Sequence, residues 1–316
     1  MWHQRRHRQR LSATHNVGLL LLIYFDIFAL ALSFPSRTSQ CYRRKIPRID
    51  PVTKRRRVLS NNRAFSHNTI GNSSPHHTPA ETTTTTAATI SEFTAFAEEL
   101  ADTAGRAILP YWRRRSLKVE DKKEDGRSPA QTVSPVTAAD RAAERAMRDL
   151  IEERYPSHGI FGEEFGSVRV AADYVWVLDP IDGTKSFVTG KPLFGTLISC
   201  LHHGVPIVGV IDQCVIKERW IGARGRPTTL NGAPVRVDDD SKRTLRDATL
   251  YTTTPDMFRR GYEATAFRTV RDASFRMLYG CDCYAYALVA SGFGADGVIE
   301  ADLGLYDYCA VVPVVE

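Results

Sequence analysis

The sequence predicts a layered α/β domain that begins near residue 90. Two stretches, 90–114 and 137–154, repeat apolar residues at the spacing of amphipathic helices. Short runs rich in Val and Ile follow them and are punctuated by Gly or Pro, as strands usually are. Helices first and strands in mixed spacing afterwards indicate an α/β layered arrangement.

The first helix is expected over 90–114, with Ser91 and Glu92 at the amino-terminal cap and first turn. The second helix repeats the apolar pattern on one face between Ala139 and Ile151. The later elements are expected as strands at Tyr174–Leu178, Gly195–Leu201 and Pro206–Ile211, a helix at Cys283–Ala290 and a strand at Gly297–Ile299.

The formal charge of +6 on the 316-residue chain comes from its amino-terminal segment. Residues 1–88 hold fourteen Lys and Arg against three Asp and Glu, which leaves 28 basic and 33 acidic residues in the remainder. The folded domain is therefore mildly acidic, and we interpret the basic segment as a targeting sequence. We expect no nucleic-acid partner.

The chain begins like a secretory signal. A basic start precedes an apolar run over 17–32, which Asp26 interrupts, and small residues precede Phe34. A run of this length with a carboxylate is short for a bilayer span, so we expect a cleaved signal, with a membrane anchor as the alternative. After cleavage we expect no membrane contact.

Residues 34–89 are rich in Arg, Ser, Thr and Asn, nearly free of acids, and end in a threonine run. Together with the signal they resemble the two-part presequence of algae whose plastids lie inside extra membranes. A mitochondrial or secretory destination is the alternative. We therefore expect residues 1–89 to form a disordered targeting presequence and residues 90–316 to form the domain.

The six cysteines are irregularly spaced and do not form a disulfide framework. Cys281 and Cys283 are two residues apart rather than three, and no second Cys or His pair accompanies them as a zinc site requires. Buried free thiols are expected.

A loop with two carboxylates follows the most apolar of the predicted strands. Val175–Leu178 reads as a buried strand, and Asp179 stands at its carboxyl end, where open α/β sheets place ligands. Asp182 follows within one turn, and Gly183 permits a sharp bend before Thr184. Two carboxylates about 4 Å apart repel by roughly 4 kcal/mol at an effective dielectric near 20. A hard cation such as Mg²⁺ is therefore expected between them, and an ordinary turn is the alternative.

Further acids in the sequence could belong to the same site. Glu163 and Glu164 follow a glycine, Asp140 opens the second helix, and Asp307 lies between two tyrosines after Glu300. Each has a simpler interpretation when taken singly. These are a surface turn for the paired glutamates, a helix amino-terminal charge for Asp140 and a helix cap for Asp307.

Together and in this order, these motifs resemble the inositol monophosphatase family of magnesium phosphatases. The resemblance runs from about residue 90 to the end, with signature segments WVLDPIDGTKSF at 176–187 and YDYCA at 306–310. Within the family the chain looks closest to the histidinol-phosphatase branch. The segments that carry this are SPVTAADRAAE at 134–144, HGIFGEEFG at 158–166, KSFVTGKPLFGTLIS at 185–199, DCYAYALVASG at 282–292 and YDYCAVVPVVE at 306–316.

The resemblance implies an α-β-α-β-α sandwich and a set of metal ligands. Glu163, Asp179 and the carbonyl of Ile181 would bind one Mg²⁺ ion, and Asp182 and Asp307 would complete a second site with Asp179. Glu163 also faces a weaker third site, so two or three ions are expected.

The resemblance to the family also implies the catalytic and phosphate-binding residues. Glu163, Thr184 and Asp140 form the catalytic set, in which Thr184 and Asp140 orient the attacking water. The backbone N–H groups around Gly183 and Thr184 would hold phosphate oxygens at the start of a helix. Catalysis would then consist mostly of positioning and charge neutralisation.

Two further acids are expected to contact the substrate. Glu300 occupies a position where family members bind a substrate hydroxyl, and Asp282 lies near another such position at the head of its helix. Histidinol phosphate carries an ammonium group and an imidazole, to which acids give charge-assisted contacts. A plain helix cap is the alternative for Asp282.

The resemblance therefore predicts a magnesium-dependent phosphomonoesterase that converts L-histidinol phosphate to L-histidinol and phosphate in histidine biosynthesis. The alternatives are an inositol monophosphatase or another sugar-phosphate phosphatase, and a non-catalytic relative that binds phosphorylated metabolites or proteins. Relatives are usually dimers, so a homodimer is expected.

The chain departs from the family pattern in two places. The connection between Asp125 and Ser134 is longer than the branch usually shows, in a region that forms a flap over the metals in relatives. Relatives also continue past Glu316 with a glycine-rich turn and a further strand and helix. We therefore expect the chain to lack the carboxyl-terminal end of the domain.

Overall fold

The computed structural model describes residues 28–32, 85–115, 117–123, 133–237 and 243–316. Its helices are α1 (Ala87–Ile108), α2 (Ala138–Arg154), α3 (Thr184–Val188), α4 (Tyr262–Ala273), α5 (Cys283–Ser291), α6 (Leu305–Tyr308) and α7 (Val311–Val315). Its strands are β1 (Phe28–Leu32), β2 (Val119–Lys123), β3 (Val133–Thr137), β4 (Gly159–Gly162), β5 (Gly166–Val168), β6 (Tyr174–Asp182), β7 (Gly195–His202), β8 (Val205–Gln213), β9 (Glu218–Ala223), β10 (Thr229–Leu230), β11 (Ala233–Pro234), β12 (Thr249–Thr252), β13 (Arg276–Tyr279) and β14 (Gly297–Ala301).

The largest sheet has the strand order β11-β10-β9-β8-β7-β6-β4-β5. Neighbouring strands in it are antiparallel except for β4 and β6, which run parallel. A smaller sheet has the order β1-β14-β12-β13, and β2 pairs with β3 as a separate hairpin. The single parallel pair in the large sheet matters for function, because two strands then end side by side at the same edge.

Five layers are held together by three of the four apolar cores among the described residues, and one of the three lies on both sides of the middle layer. Successive side chains of β7 point to opposite faces of the large sheet, so the adjacent residues Ile198 and Leu197 belong to different cores. Ile198 packs in the core that α1 and α2 form on one face of the large sheet, and Leu197 packs in the core with α5 and α7 on the other face. The core around α5 also includes Val298 of the small sheet, and Phe267 of α4 packs on the far side of that sheet with Ile299. The predicted α-β-α-β-α sandwich is confirmed.

The first helix begins and ends earlier than the sequence predicts. Thr86 provides its amino-terminal cap, because its hydroxyl accepts a hydrogen bond from the backbone N–H of Thr89 at 3.1 Å. Ser91 and Glu92 lie inside the helix instead of at its start. The helix stops at Ile108 because Pro110 follows within a 3-10 turn.

The other predicted elements occur where the sequence placed them. The second helix, the three strands of the large sheet and the helix and strand that follow Cys283 are all present, and most extend one to four residues beyond the predicted ends. Strand β6 extends furthest and includes the acidic loop up to Asp182. Of the five described cysteines, four are buried, Cys214 is partly buried, and all five are free thiols.

Strand β1 pairs antiparallel with β14, with Phe28 opposite Ala301 and Leu32 opposite Gly297. It lies within the apolar run that the sequence interprets as a signal. The rest of the predicted presequence before residue 85, which includes Cys41, lies outside the described residues. So do residues 124–132, which make up most of the longer connection predicted between Asp125 and Ser134. Among the described helices, none has the length and apolar character needed to cross a bilayer.

Candidate metal centre

The parallel pair of β4 and β6 brings two of the predicted metal ligands together. Gly162 lies opposite Leu178 in this pair, so Glu163 and Asp179 are the next residues on neighbouring strands. The backbone N–H of Glu163 donates to the carbonyl of Leu178 at 3.2 Å, which fixes this register at the strand ends. Side chains at matched positions of neighbouring strands lie on the same side of a sheet.

The acidic loop bends because the pairing of β6 with β7 shifts between Asp179 and Asp182. Within the bend, the backbone N–H of Ile181 donates to Oδ1 of Asp179 at 3.0 Å. The hydroxyl of Thr196 donates to the carbonyl of Pro180 at 2.8 Å, and the hydroxyl of Thr184 donates to the carbonyl of Ile181 at 3.0 Å. The loop backbone is therefore held on both sides, and its two carboxylates stay close together.

A third carboxylate comes from α6. Asp307 joins Asp179 and Asp182 in a cluster whose ligand oxygens all lie within 4.8 Å of one another. Oδ2 of Asp307 also accepts the backbone N–H of Gly304 at 2.5 Å, at the amino-terminal end of α6. The helix-cap interpretation of Asp307 and its place in the acidic cluster are therefore compatible.

Asp179 is buried, Asp182 and Asp307 are partly buried, and the charges of the three acids repel one another. Burial raises the pKa of Asp179 well above its usual range, and the charges of Glu163, Asp182 and Asp307 raise it further. Burial likewise raises the pKa of Asp182 to about 8, and burial with the charge of Asp182 raises the pKa of Asp307. Acids in this state need protons or a cation. Oxygen ligands of this number and type fit Mg²⁺.

The amino-terminal end of α5 points at the acidic loop. The backbone N–H of Cys283 donates to Oδ2 of Asp182 at 2.5 Å, so a carboxylate from another element caps this helix. Asp282 occupies the cap position but makes no side-chain capping bond. Its Oδ2 instead accepts the hydroxyl of Ser186 at 3.0 Å. The helix-cap interpretation of the Asp282 side chain is therefore wrong.

Asp282 also lies directly against Gly183. A Cβ atom on Gly183 would come within 2.7 to 2.9 Å of the Asp282 side chain, and the backbone φ of Gly183 is +81°. Asp282 itself has a φ of +47° and follows Cys281, with a φ of +92°. Only glycine suits position 183, because it allows both the left-handed backbone and the contact.

Glu300 lies on β14, and protein donors already contact both of its oxygens. Oε1 accepts the hydroxyl and the backbone N–H of Thr253, and Oε2 accepts the hydroxyl of Tyr286 at 2.8 Å. Burial raises the pKa of Glu300 to about 7 although these bonds lower it.

Asp140 forms a capping box at the start of α2, as its simpler interpretation predicts. Its Oδ2 accepts both the backbone N–H and the hydroxyl of Thr137, at 2.8 and 2.5 Å. Burial raises the pKa of Asp140 to about 6, and the charge of Glu164 adds to the rise. Asp140 therefore lies near the glutamate pair.

Three residues near the site were missed by the sequence reasoning. Ser186 and Cys283 contact the acidic loop or Asp282, and nothing in their spacing indicates it. Glu144 is fully buried and accepts backbone N–H groups next to Glu163. The sequence does contain a pattern that could have indicated Glu144, because Asp140 and Glu144 are four residues apart and share one helix face.

A cluster of carboxylates from a strand end and a neighbouring helix, within a five-layer sandwich, has the ligands of a divalent-cation site. The profile of the inositol monophosphatase family matches residues 89–316. The chain belongs to the inositol monophosphatase family and is a phosphoric monoester hydrolase that acts on small phosphorylated substrates.

Relatives and solved structures agree with this assignment. The chain is 47% identical over 268 residues to the bifunctional phosphatase IMPL2, chloroplastic, of Arabidopsis thaliana, covering 84% of this chain and 72% of that protein. It is 35% identical to a histidinol-phosphatase of Chlorobaculum parvum, covering 69% and 80%. An inositol monophosphatase structure from Zymomonas mobilis matches with a TM-score of 0.60 at 38% identity, covering 71% and 82%.

The contact between Gly183 and Asp282 gives a first prediction. Gly183→Ala should destabilise the protein by about 1–2 kcal/mol from left-handed strain and by a further 1–3 kcal/mol, roughly, from overpacking. It should also lower phosphatase activity by about two orders of magnitude, because the acidic loop moves. Urea unfolding and phosphate release measure the two effects.

The matched control is Gly190→Ala. Gly190 has a φ of +78°, but the nearest atom to its Cβ would be Arg113 at 3.5 Å, which is an ordinary contact. This variant should lose only the strain energy and should keep its activity. Equal losses of stability and activity in the two variants would show that the contact with Asp282 adds nothing to the effect of backbone strain.

Proposed function

We propose that this phosphatase hydrolyses L-histidinol phosphate to L-histidinol and phosphate in histidine biosynthesis. The observation that carries the proposal is the carboxylate of Asp282, which lies against Gly183 of the acidic loop. A carboxylate next to the phosphate-binding loop suits a substrate with a cationic end, since it forms a charge-assisted contact. The relatives named histidinol-phosphatase support the same substrate class.

In this proposal the acids at the ends of β4, β6 and α6 hold two or three Mg²⁺ ions. The ligands are Glu163, Asp179, the carbonyl of Ile181, Asp182 and Asp307. Bound Mg²⁺ would neutralise charge on the phosphoryl group and activate water for attack. The carboxylates of the chain would orient the ions.

The remaining roles fall on the residues around the loop. Backbone N–H groups of Gly183 and Thr184 hold phosphate oxygens, while Thr184 and Asp140 orient the attacking water, with Glu163 completing the catalytic set. A pKa near 6 for Asp140 leaves its carboxylate mostly ionised at neutral pH and able to accept a proton. Asp282 and Glu300 contact the alcohol portion of the substrate.

An inositol monophosphatase is the second candidate. The match to the Zymomonas mobilis enzyme supports it, and so does Glu300, whose place beside the cluster suits a hydroxyl-bearing substrate. A non-catalytic relative that binds phosphorylated metabolites or proteins is a third and weaker reading, because the chain retains all five predicted acids. We also propose a homodimer, which sedimentation equilibrium of the domain tests.

Asp179→Asn should abolish magnesium-dependent phosphate release while the protein stays folded. The amide can still accept the Ile181 N–H. It also replaces a carboxyl group whose pKa is raised by burial and by the charges of Glu163, Asp182 and Asp307, and which is therefore costly to keep at pH 7 whether it is ionised or protonated. Without Mg²⁺, the variant should therefore melt at or above the wild-type temperature at pH 7. Wild-type protein should gain about 2.7 kcal/mol at a Mg²⁺ concentration 100 times the dissociation constant, and the variant should gain little. Full activity in the variant would contradict the proposed metal site.

A substrate comparison tests the proposed specificity. Wild-type protein should release phosphate from L-histidinol phosphate with a higher kcat/KM than from inositol 1-phosphate. Asp282→Asn should lower the first value by about tenfold or more, because a charge-assisted contact becomes a neutral one, and should leave the second nearly unchanged. Comparable or faster turnover of inositol 1-phosphate by wild-type protein would overturn the histidinol assignment.

We further propose that residues 1–89 deliver the domain to a plastid enclosed by extra membranes. The basic, acid-poor composition supports this, and so does the relative described as chloroplastic. A fluorescent protein fused after residue 89 should enter the plastid of an alga with a complex plastid. Fluorescence in mitochondria or in the medium would support the alternative destinations instead. Removal of residues 1–33 should leave the fusion in the cytosol.

A further inference from the structure

The turn that carries Glu163 is held from behind by a residue of α2. The carboxylate of Glu144 accepts the backbone N–H of Glu164 on Oε2 at 2.7 Å and that of Phe165 on Oε1 at 3.1 Å. Both donors belong to the turn between β4 and β5, directly after Glu163. One buried side chain therefore binds two consecutive backbone groups next to a predicted metal ligand.

Arg148, one turn further along α2, completes this arrangement. Its Nε donates to Oε1 of Glu144 at 2.8 Å, and its guanidinium also donates to the carbonyl of Gly166. The side chain of Glu144 is fully buried and that of Arg148 is 16% exposed. The two residues thus hold both ends of the turn, and the guanidinium offsets the charge of the buried carboxylate.

Gly162 provides the space for this contact. A Cβ atom there would lie 2.0 Å from Oε1 of Glu144 and 2.7 Å from the guanidinium of Arg148. The carboxylate therefore passes directly beneath the residue that precedes Glu163. Any side chain at position 162 would displace Glu144, the turn or both.

The opposite side of Glu163 is fixed by the sheet. Its backbone N–H donates to the carbonyl of Leu178, which precedes Asp179. Strand β6 thus sets the start of the turn and Glu144 sets the residues that follow. Between these two anchors, Glu163 lies beside Asp179, because the residues that precede them, Gly162 and Leu178, are partners in the parallel pair of β4 and β6.

We propose that Glu144 is a positioning residue that holds Glu163 beside Asp179 and thereby sets the affinity of the site for Mg²⁺. This inference rests on the proposed function only in that the acidic cluster binds Mg²⁺. It does not depend on which phosphate ester is the substrate. Residues that orient metal ligands typically change metal affinity or activity by about 10–100-fold when they are replaced.

The test is Glu144→Gln, with Mg²⁺ binding measured by isothermal titration calorimetry on the whole chain. Glutamine keeps the size of the side chain, but its NH₂ group cannot accept a backbone N–H, so one of the two bonds to the turn is lost. We expect Mg²⁺ to bind about tenfold more weakly. In phosphate-release assays, the Mg²⁺ concentration for half-maximal rate should rise by the same factor, and kcat at saturating Mg²⁺ should recover to within a few-fold.

The matched control is Glu152→Gln. Glu152 lies on the same helix and forms an ion pair with Arg169, in which both side chains are more than a third exposed. This variant should bind Mg²⁺ as the wild type does. A Glu144→Gln protein with lowered thermal stability but unchanged Mg²⁺ affinity would overturn the proposal, because its role would then be structural only.

Gly162→Ala provides a second route if Glu144→Gln does not fold. In the wild-type background, the added methyl group should weaken Mg²⁺ binding. In a protein that already carries Glu144→Ala, Gly162→Ala should weaken Mg²⁺ binding less, because the carboxylate with which the methyl group collides is absent. Equal effects in both backgrounds would overturn the proposal, as would wild-type protein that binds no Mg²⁺. Wild-type protein that binds Mg²⁺ but releases no phosphate would disprove the proposed function alone.

Discussion

The repulsion among closely spaced carboxylates is the constraint on which the rest of this structure depends. Asp179, which is buried, and Asp182 and Asp307, which are partly buried, each place an oxygen within 4.8 Å of the others. At such separations each ionised pair costs roughly 4 kcal/mol at an effective dielectric near 20, and desolvation adds to this. A fold with a few kcal/mol of net stability tolerates such a cluster only where its surroundings hold the acids in place. Those surroundings come from the acidic loop itself and from the amino-terminal ends of α5 and α6.

Each acid is held by a backbone group from a neighbouring segment. Asp179 accepts the N–H of Ile181 within the loop, Asp182 accepts the N–H that opens α5, and Asp307 accepts the N–H that opens α6. Two of these donors are at helix amino-terminal ends, where the helix dipole favours negative charge. The fold thus lowers the cost of the cluster through backbone donors. The remaining charge favours a divalent cation, and the same donors keep the oxygens oriented when the cation is absent.

The sequence predicted the layers well, because they depend on local pattern, whereas the set of metal ligands was implied only by the family resemblance and stays a prediction. The apolar run before Asp179 and the helical spacing on either side of Asp140 are periodic signals that survive without tertiary information. The start of α1 was misplaced, because Thr86 lies in a threonine run where no single residue stands out as a cap. The capping of α5 by Asp182 was also missed. It joins residues about one hundred positions apart, and no local pattern records such a contact.

The two acids proposed to contact substrate differ in what they can contribute. Glu300 already accepts three hydrogen bonds from Thr253 and Tyr286, and its raised pKa means that it is partly protonated near neutral pH. Burial raises the pKa of Asp282 as well, but Asp282 accepts a single hydroxyl among the bonds described, and that bond and the charges of Lys185 and Lys191 oppose the rise. A partly neutral acid distinguishes poorly between an ammonium group and a hydroxyl, whereas an ionised acid favours the ammonium group. Selection between amino-alcohol and polyol phosphates should therefore depend mainly on Asp282, with Glu300 fixing the position of whichever alcohol binds.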